Sequence, residues 1–198
     1  MRVFILCTGR SGSKSLIRAC EYISNYTASH ESLSKMIGDS RFEYPNQHIE
    51  ADNRLAWFLG TLDKKYGKEA IYVHLSRDKM KVVNSFKNRW GYQGSILKAF
   101  SEGILMQGFK SKTEQEKIQI INDYYDTITN NIELFLKDKP HSIQMNLETI
   151  SQDFSQFWSS INAEGDFESA TASLDIPINT TIQSKPNIIN LIKNKLKS

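Results

Sequence analysis

Residues 8–15 read TGRSGSKS, with two cations and four hydroxyls in eight positions around two glycines. These are the ingredients of an anion cradle. Gly9 and Gly12 let the backbone turn tightly and approach a ligand, so that successive N–H groups point inward as a nest. Arg10 and Lys14 add full charges, and Ser13 and Ser15 add hydroxyl donors. A helix starting in the loop would add the positive end of its dipole. Glycine and serine alone would make only a turn; the density of cations and hydroxyls is what argues for a phosphate. The loop is not a complete Walker A, which needs G-x-x-x-x-G-K-[ST]. Ser13 rather than glycine precedes Lys14-Ser15, and Thr8 stands at the first glycine position.

Such a loop needs a strand before it and a helix behind it. Residues 3–7 are wholly apolar, the pattern of a buried parallel strand. Leu16, Ala19, Cys20 and Ile23 form a helical face over residues 15–23. Short strands are expected at 25–29 and 48–51, with a loop at 38–47, rich in turn formers. Asp52 or Asn53 caps a helix with Leu55, Phe58, Leu59 and Leu62 on its apolar face, and Gly67 ends it. Residues 70–75 read as another buried strand, followed by a helix over 78–90 with Met80, Val83 and Phe86 on one side.

The second half is richer in helix. Residues 114–136 carry Ile118, Ile121, Tyr125, Ile128, Ile132 and Phe135 at helical spacing, and Pro140 stops the run. A strand at 142–147 and a helix at 149–161 follow. The basic tail 185–198 has an apolar stripe (Ile188, Leu191, Ile192, Leu196) and reads as a docked terminal helix. Alternating strands and helices with short connections imply an α/β fold with a central parallel sheet. Ligands in such sheets sit at the carboxyl ends of the strands, which singles out the loops after Cys7, Ser29, Ala51 and Leu75.

A length of 198 residues fits one domain, 1–198, with a core large enough to need no disulfide or metal. The formal charge of +3 attracts a small polyanion but is too weak and dispersed for nucleic acid. Cys7 and Cys20 lack metal spacing and read as reduced core thiols. The first apolar run is too short for a signal peptide, and no stretch of about 18 apolar residues could span a membrane. A cytoplasmic location is expected on those grounds.

Residues 9–16, GRSGSKSL, resemble the 5′-phosphosulfate loop of P-loop-fold sulfotransferases in their glycan and bacterial branches, G-R-S-G-[ST]-[ST]-x-L, with Lys14 in place of a hydroxyl residue. An Arg and a Ser eight positions apart would mean little alone. The same family, however, binds the 3′-phosphate of 3′-phosphoadenosine-5′-phosphosulfate (PAPS) through R-[DN]-P-x-x-x-x-x-S, and Arg77-Asp78…Ser85 is similar, with Lys79 replacing proline. The resemblance covers roughly residues 1–90. It implies a three-layer P-loop NTPase-like fold and sulfuryl transfer from PAPS to a hydroxyl acceptor, a small molecule or glycan, without a metal. It also implies cofactor contacts from Gly9, Arg10, Ser11, Gly12, Ser13, Lys14, Ser15, Arg77 and Ser85, and an electrostatic role for Arg10, shared with Lys14.

Related glycan-type enzymes place a Glu base about twenty residues beyond the loop, where His30-Glu31 stands. Glu31 is the first choice of general base and His30 the alternative, a neutral imidazole at pH 7 being suited to it. Glu50 and Asp52 are further acids near a strand end; Asp52 reads better as a helix cap. Glu50 and Arg54 are candidate acceptor contacts, and Arg89, Trp90 and Tyr92 candidate substrate or nucleotide contacts. Lys185 or Lys193 could replace the Gly-rich loop that covers the nucleotide in cytosolic members. Two other functions compete. A P-loop small-molecule kinase would use Lys14 on phosphates, Ser15 on Mg²⁺ and Asp78 as a crude Walker B acid with Mg-ATP. A binding module would keep the nucleotide without transferring anything.

Overall fold

The computed structural model describes residues 1–92 and 94–176; the expected tail helix, with Lys185 and Lys193, lies outside them. Five strands, β1 (Arg2–Leu6), β2 (Thr27–His30), β3 (His48–Ala51), β4 (Ile71–Ser76) and β5 (Ser142–Asn146), form one parallel sheet in the order β2-β3-β1-β4-β5. The α-helices are α1 (Ser13–Cys20), α2 (Leu59–Tyr66), α3 (Lys79–Lys87), α4 (Ile96–Ala99), α5 (Glu114–Leu136), α6 (Ile150–Ser160) and α7 (Phe167–Leu174).

Burial follows position in the sheet. The inner strands β1, β3 and β4 are almost wholly buried, so β1 and most of β4 read as apolar runs, while β3 buries His48 and Glu50 among its four residues. The edge strands β2 and β5 are only partly covered and have weak sequence signals. Successive residues of each inner strand enter two different cores. Phe4, Leu6 and Tyr72 join Leu62, Phe86, Ile121, Tyr124 and Ile128 on one face. Val3, Ile5, Val73 and Leu75 join Leu16, Ile17, Phe154 and Phe157 on the other. Helices therefore cover both sides, giving the three layers expected. Cys7 and Cys20 are free and buried, and burial pushes both thiols above their ordinary pKa. Among the described residues, no helix is long and apolar enough to cross a membrane.

The departures from the expected pattern have local causes. Met80 is exposed, because the buried stripe of α3 is Val82, Val83 and Phe86. At about 100° per residue, Met80 lies about 110° from the centre of that stripe. Residues 53–66 are not one helix: a 3₁₀ segment (Asn53–Trp57), capped by Asp52 accepting from the Arg54 N–H at 2.8 Å, gives way at Phe58 to α2. Gly38–Phe42, expected as loop, also forms a 3₁₀ turn. The apolar stripe of α7, Phe167, Ala170 and Leu174, is short and shares its buried face with Ser173, a weak signal in the sequence.

The turn before α7 is fixed by Gly165. Its φ is +138°, it bridges Ile23 antiparallel, and a Cβ there would lie 2.1 Å from the Tyr22 carbonyl oxygen. Backbone cannot yield as a flexible side chain does. Gly165→Ala is expected to destabilise the protein by about 2 kcal/mol or more. Denaturant melts of both proteins check this, and an unchanged midpoint would refute the close packing of α7 on the α1–β2 turn.

Candidate active site

The strand order reverses at β1, whose neighbours β3 and β4 run to opposite sides, so a crevice opens at its carboxyl end. Residues 8–15 fill that position. Gly9, Arg10 and Gly12 all have left-handed backbone, with φ of +79°, +60° and +90°. Such runs turn consecutive N–H groups to one side, as anion nests do. Gly12 starts α1, whose first turn contains Lys14 and no acid. The positive end of the helix dipole is thus left uncompensated and supplemented, a poor arrangement for the helix and a good one for an anion.

Packing holds this shape. The Tyr124 hydroxyl on α5 donates to the Thr8 carbonyl at 2.8 Å. A Cβ at Gly9 would stand 3.1 Å from Asn53 Nδ2, and one at Gly12 would stand 2.4 Å from Leu147 Cδ1. Glycine is favoured at both positions by conformation, and a Cβ would also make the Asn53 or Leu147 side chain shift. Arg10, whose left-handed backbone costs about 1 kcal/mol, is held by two bonds from the second motif. Arg77 donates to the Arg10 carbonyl, and the Arg10 Nε donates to Ser85 Oγ, both at 2.9 Å.

The loop and the Arg77/Ser85 pair thus form one wall. They line a cavity of about 830 Å³ together with Lys14, Arg54, Lys81 and Arg89. Glu31 is the one acid among its lining residues. Burial first, then Arg89 and Arg77, push the Arg10 guanidinium below its ordinary pKa. Like charges crowded in this way are relieved by a bound polyanion.

The opposite side is built from the ends of β2 and β3. Glu31 continues the pairing of β2, its N–H donating to the Ala51 carbonyl at 3.0 Å, and then turns with φ +54°. Its carboxylate lies 3.2 Å from Arg54. His30 also lines the cavity, with Nε2 3.0 Å from the Ser13 hydroxyl. Burial, opposed by Glu31 and assisted by Lys14, holds its imidazole below the ordinary pKa and so neutral at pH 7.

Glu50 does not reach the cavity. It is fully buried, accepting from the Ser32 N–H at 2.9 Å and the Ser32 hydroxyl at 2.5 Å, with His48 Nε2 at 3.1 Å. Ser32 follows Glu31, so Glu50 fixes the turn that presents Glu31. Asp52 is likewise buried and capping, paired with Arg41; burial raises its carboxyl pKa despite that partner. Asp78 is exposed and caps α3 through the Lys81 N–H at 2.9 Å, and it is not among the cavity residues. Trp90 stacks on Phe109 with centroids 4.1 Å apart, away from this cavity, whereas Arg89 and Tyr92 line it. Ser11 is fully buried beneath the loop and not among the lining residues, while the other loop positions from Gly9 to Ser15 face the cavity.

Sequence reasoning missed Lys81, Asn84, Asn88 and Leu147, all of which line the cavity. Lys81 and Asn84 lie on the helix of Ser85 and Asn88 caps its end; their successive spacings of three and four residues were the available signal. Leu147 follows a strand on the far edge of the sheet and had none.

No protein-family model matches the chain. No curated protein matches it either. Among solved structures, the chain is similar to a mouse sulfotransferase, SULT7A1, crystallised in complex with PAP, with a TM-score of 0.51 and 16% sequence identity. The superposition covers 87% of this chain and 62% of the mouse chain, so this chain spans somewhat under two thirds of its neighbour's length. At that identity the likeness concerns the fold: a three-layer α/β domain around a parallel five-stranded sheet, of the kind found in P-loop sulfotransferases.

Proposed function

We propose that this chain is a PAPS-dependent sulfotransferase acting on a hydroxyl acceptor, with a carbohydrate favoured by the glycan-branch character of residues 9–16. The observation that carries the reading is the pair of hydrogen bonds joining Arg77 and Ser85 to Arg10. They make two separate anion motifs into one clamp, suited to a ligand with phosphates at both ends. A kinase needs one such end. The likeness to a PAP-bound sulfotransferase points the same way, PAP being adenosine 3′,5′-bisphosphate.

In this reading the loop N–H groups and Arg10 hold the 5′-phosphosulfate, with Lys14 at the rim, and Arg77 and Ser85 hold the 3′-phosphate. The acceptor oxygen attacks sulfur in line. A new S–O bond forms, the bond to the 5′-phosphate oxygen breaks, and the bisphosphate leaves with that electron pair. Arg10 and the helix N-terminus stabilise the charge developing on the leaving oxygen. Glu31 takes the acceptor proton, and Arg54 holds its carboxylate in place. His30 is the alternative base, but the lone pair or proton on Nε2 is already engaged by Ser13.

The clamp is tested by thermal shift. Adenosine 3′,5′-bisphosphate is expected to raise Tm without Mg²⁺, and Arg77→Ala to weaken its binding at least tenfold. Stabilisation by Mg-ATP alone would replace this reading with the kinase.

The base is tested by turnover. Glu31→Gln should leave bisphosphate affinity intact and cut transfer by about 10²-fold or more. Loss of that size in His30→Gln instead would move the role to His30. No transfer by the unmodified protein to a broad hydroxyl panel, despite tight bisphosphate binding, would favour the binding module.

His30 also makes a pH prediction. With its folded pKa below the unfolded value near 6.5, the unfolded chain binds more protons between the two values. Stability is therefore present above about pH 6.5 and lost as pH falls from there through the folded pKa. His30→Gln should flatten this loss in denaturant melts between pH 7.5 and 5, and an unaltered slope would reject a buried neutral His30.

A further inference from the structure

The turn after β5 meets both halves of the clamp. Leu147 lies against Gly12, and Glu148 reaches the second motif. The Glu148 carboxylate accepts from the Asp78 N–H at the start of α3 and from Lys81 Nζ, each at 3.0 Å. It stands 3.9 Å from Arg77 Nε, too far for a hydrogen bond, and that Nε is buried without a hydrogen-bond partner. Lys81 lies four residues beyond Arg77 and four before Ser85, one helical turn from the latter, and it faces the same cavity. Glu148 itself is not among the cavity-lining residues. A carboxylate thus sits behind the cations of the second anion site and partly neutralises them.

We infer that Lys81 is a further ligand of the 3′-phosphate, and that Glu148 is an internal counter-anion which holds Lys81 and Arg77 in place and sets how tightly that phosphate is bound. This rests on the reading of Arg77 and Ser85 as the 3′-phosphate site. The geometry makes Glu148 a brake on affinity: it opposes any anion at Arg77 and so offsets part of what Arg77, Lys81 and Ser85 together contribute to a 3′-phosphate. A nucleotide lacking the 3′-phosphate does not meet Glu148 at all. The Asp78 carboxylate, which accepts from the Lys81 N–H, and Asp126 are the other acids near this end of α3, and neither is among the cavity-lining residues. Lys79 is turned outward to Asp126 at 2.6 Å and is excluded from the site.

The test compares adenosine 3′,5′-bisphosphate with adenosine 5′-monophosphate by calorimetry. Glu148→Gln keeps an oxygen to accept from the Asp78 N–H but removes the charge. It should tighten the bisphosphate about three- to tenfold, with the monophosphate unchanged. Lys81→Ala, at a largely exposed side chain that folding does not need, should weaken the bisphosphate by about tenfold and again spare the monophosphate. Bisphosphate affinity that is unchanged or weakened in Glu148→Gln overturns the counter-anion role, and unchanged affinity in Lys81→Ala overturns the ligand role. Equal affinity of the unmodified protein for both nucleotides would instead remove the 3′-phosphate site itself, a distinct result.

Discussion

The geometry of the site depends on one clasp, the guanidinium of Arg77 on the carbonyl of Arg10. Arg10 has a backbone conformation that a residue with a Cβ avoids, and its carbonyl is met by Arg77, the residue just after β4. The return bond from Arg10 to Ser85 closes the loop of interactions through α3. A strained residue in the first motif is thereby held by the second. This explains why a chain with an imperfect Walker pattern has a well-formed cradle: the loop is shaped by its neighbour across the switch point, rather than by glycines alone.

The clasp sets the electrostatics as well. Bringing Arg77 to Arg10 also brings Arg89, and burial then makes the cluster unfavourable in the absence of an anion. The loop is held against this repulsion by Tyr124, which pins Thr8, and by Leu147, which lies against Gly12. In the proposed reading, a bound polyanion would recover the stability given up at the cations, in proportion to the charge it brings. A ligand with two phosphate groups recovers more of it than a ligand with one.

Much of this was legible in sequence, for physical reasons that differ from place to place. The inner strands were plain because burial on both faces makes an uninterrupted apolar run, and His48–Ala51 was found at its observed bounds despite two polar residues. Residues 8–15 were plain because an anion loop is local. Arg77 and Ser85 became meaningful only by resemblance, since the bonds joining them to Arg10 span 67 and 75 positions. Glu148 and Leu147 were invisible for the same reason: they act through contacts with turns far away in sequence, after β4 and β1, which no periodicity encodes. Glu50 illustrates the converse. An acid at a strand end looks available, and only the structure reveals that Ser32 and His48 use both of its oxygens.

Glu50 and Glu148 together show how the sheet organises the chemistry around β1. Each acid belongs to an element that flanks the crevice, and each is spent on backbone and side-chain donors of a neighbouring turn. Glu50 on β3 fixes the turn after β2 and so presents Glu31; Glu148 after β5 fixes the turn after β4 and so supports Arg77 and Lys81. Parallel strands make this possible, because all their carboxyl ends lie at one edge and each turn has another turn beside it. The carboxylates that support the site are out of reach of a ligand, which leaves Glu31 as the one acid facing six cations. A lone carboxylate among these cations, 3.2 Å from Arg54, stands at the cavity wall where an incoming hydroxyl would meet it, which is the positional requirement for the base proposed beside a polyanionic donor.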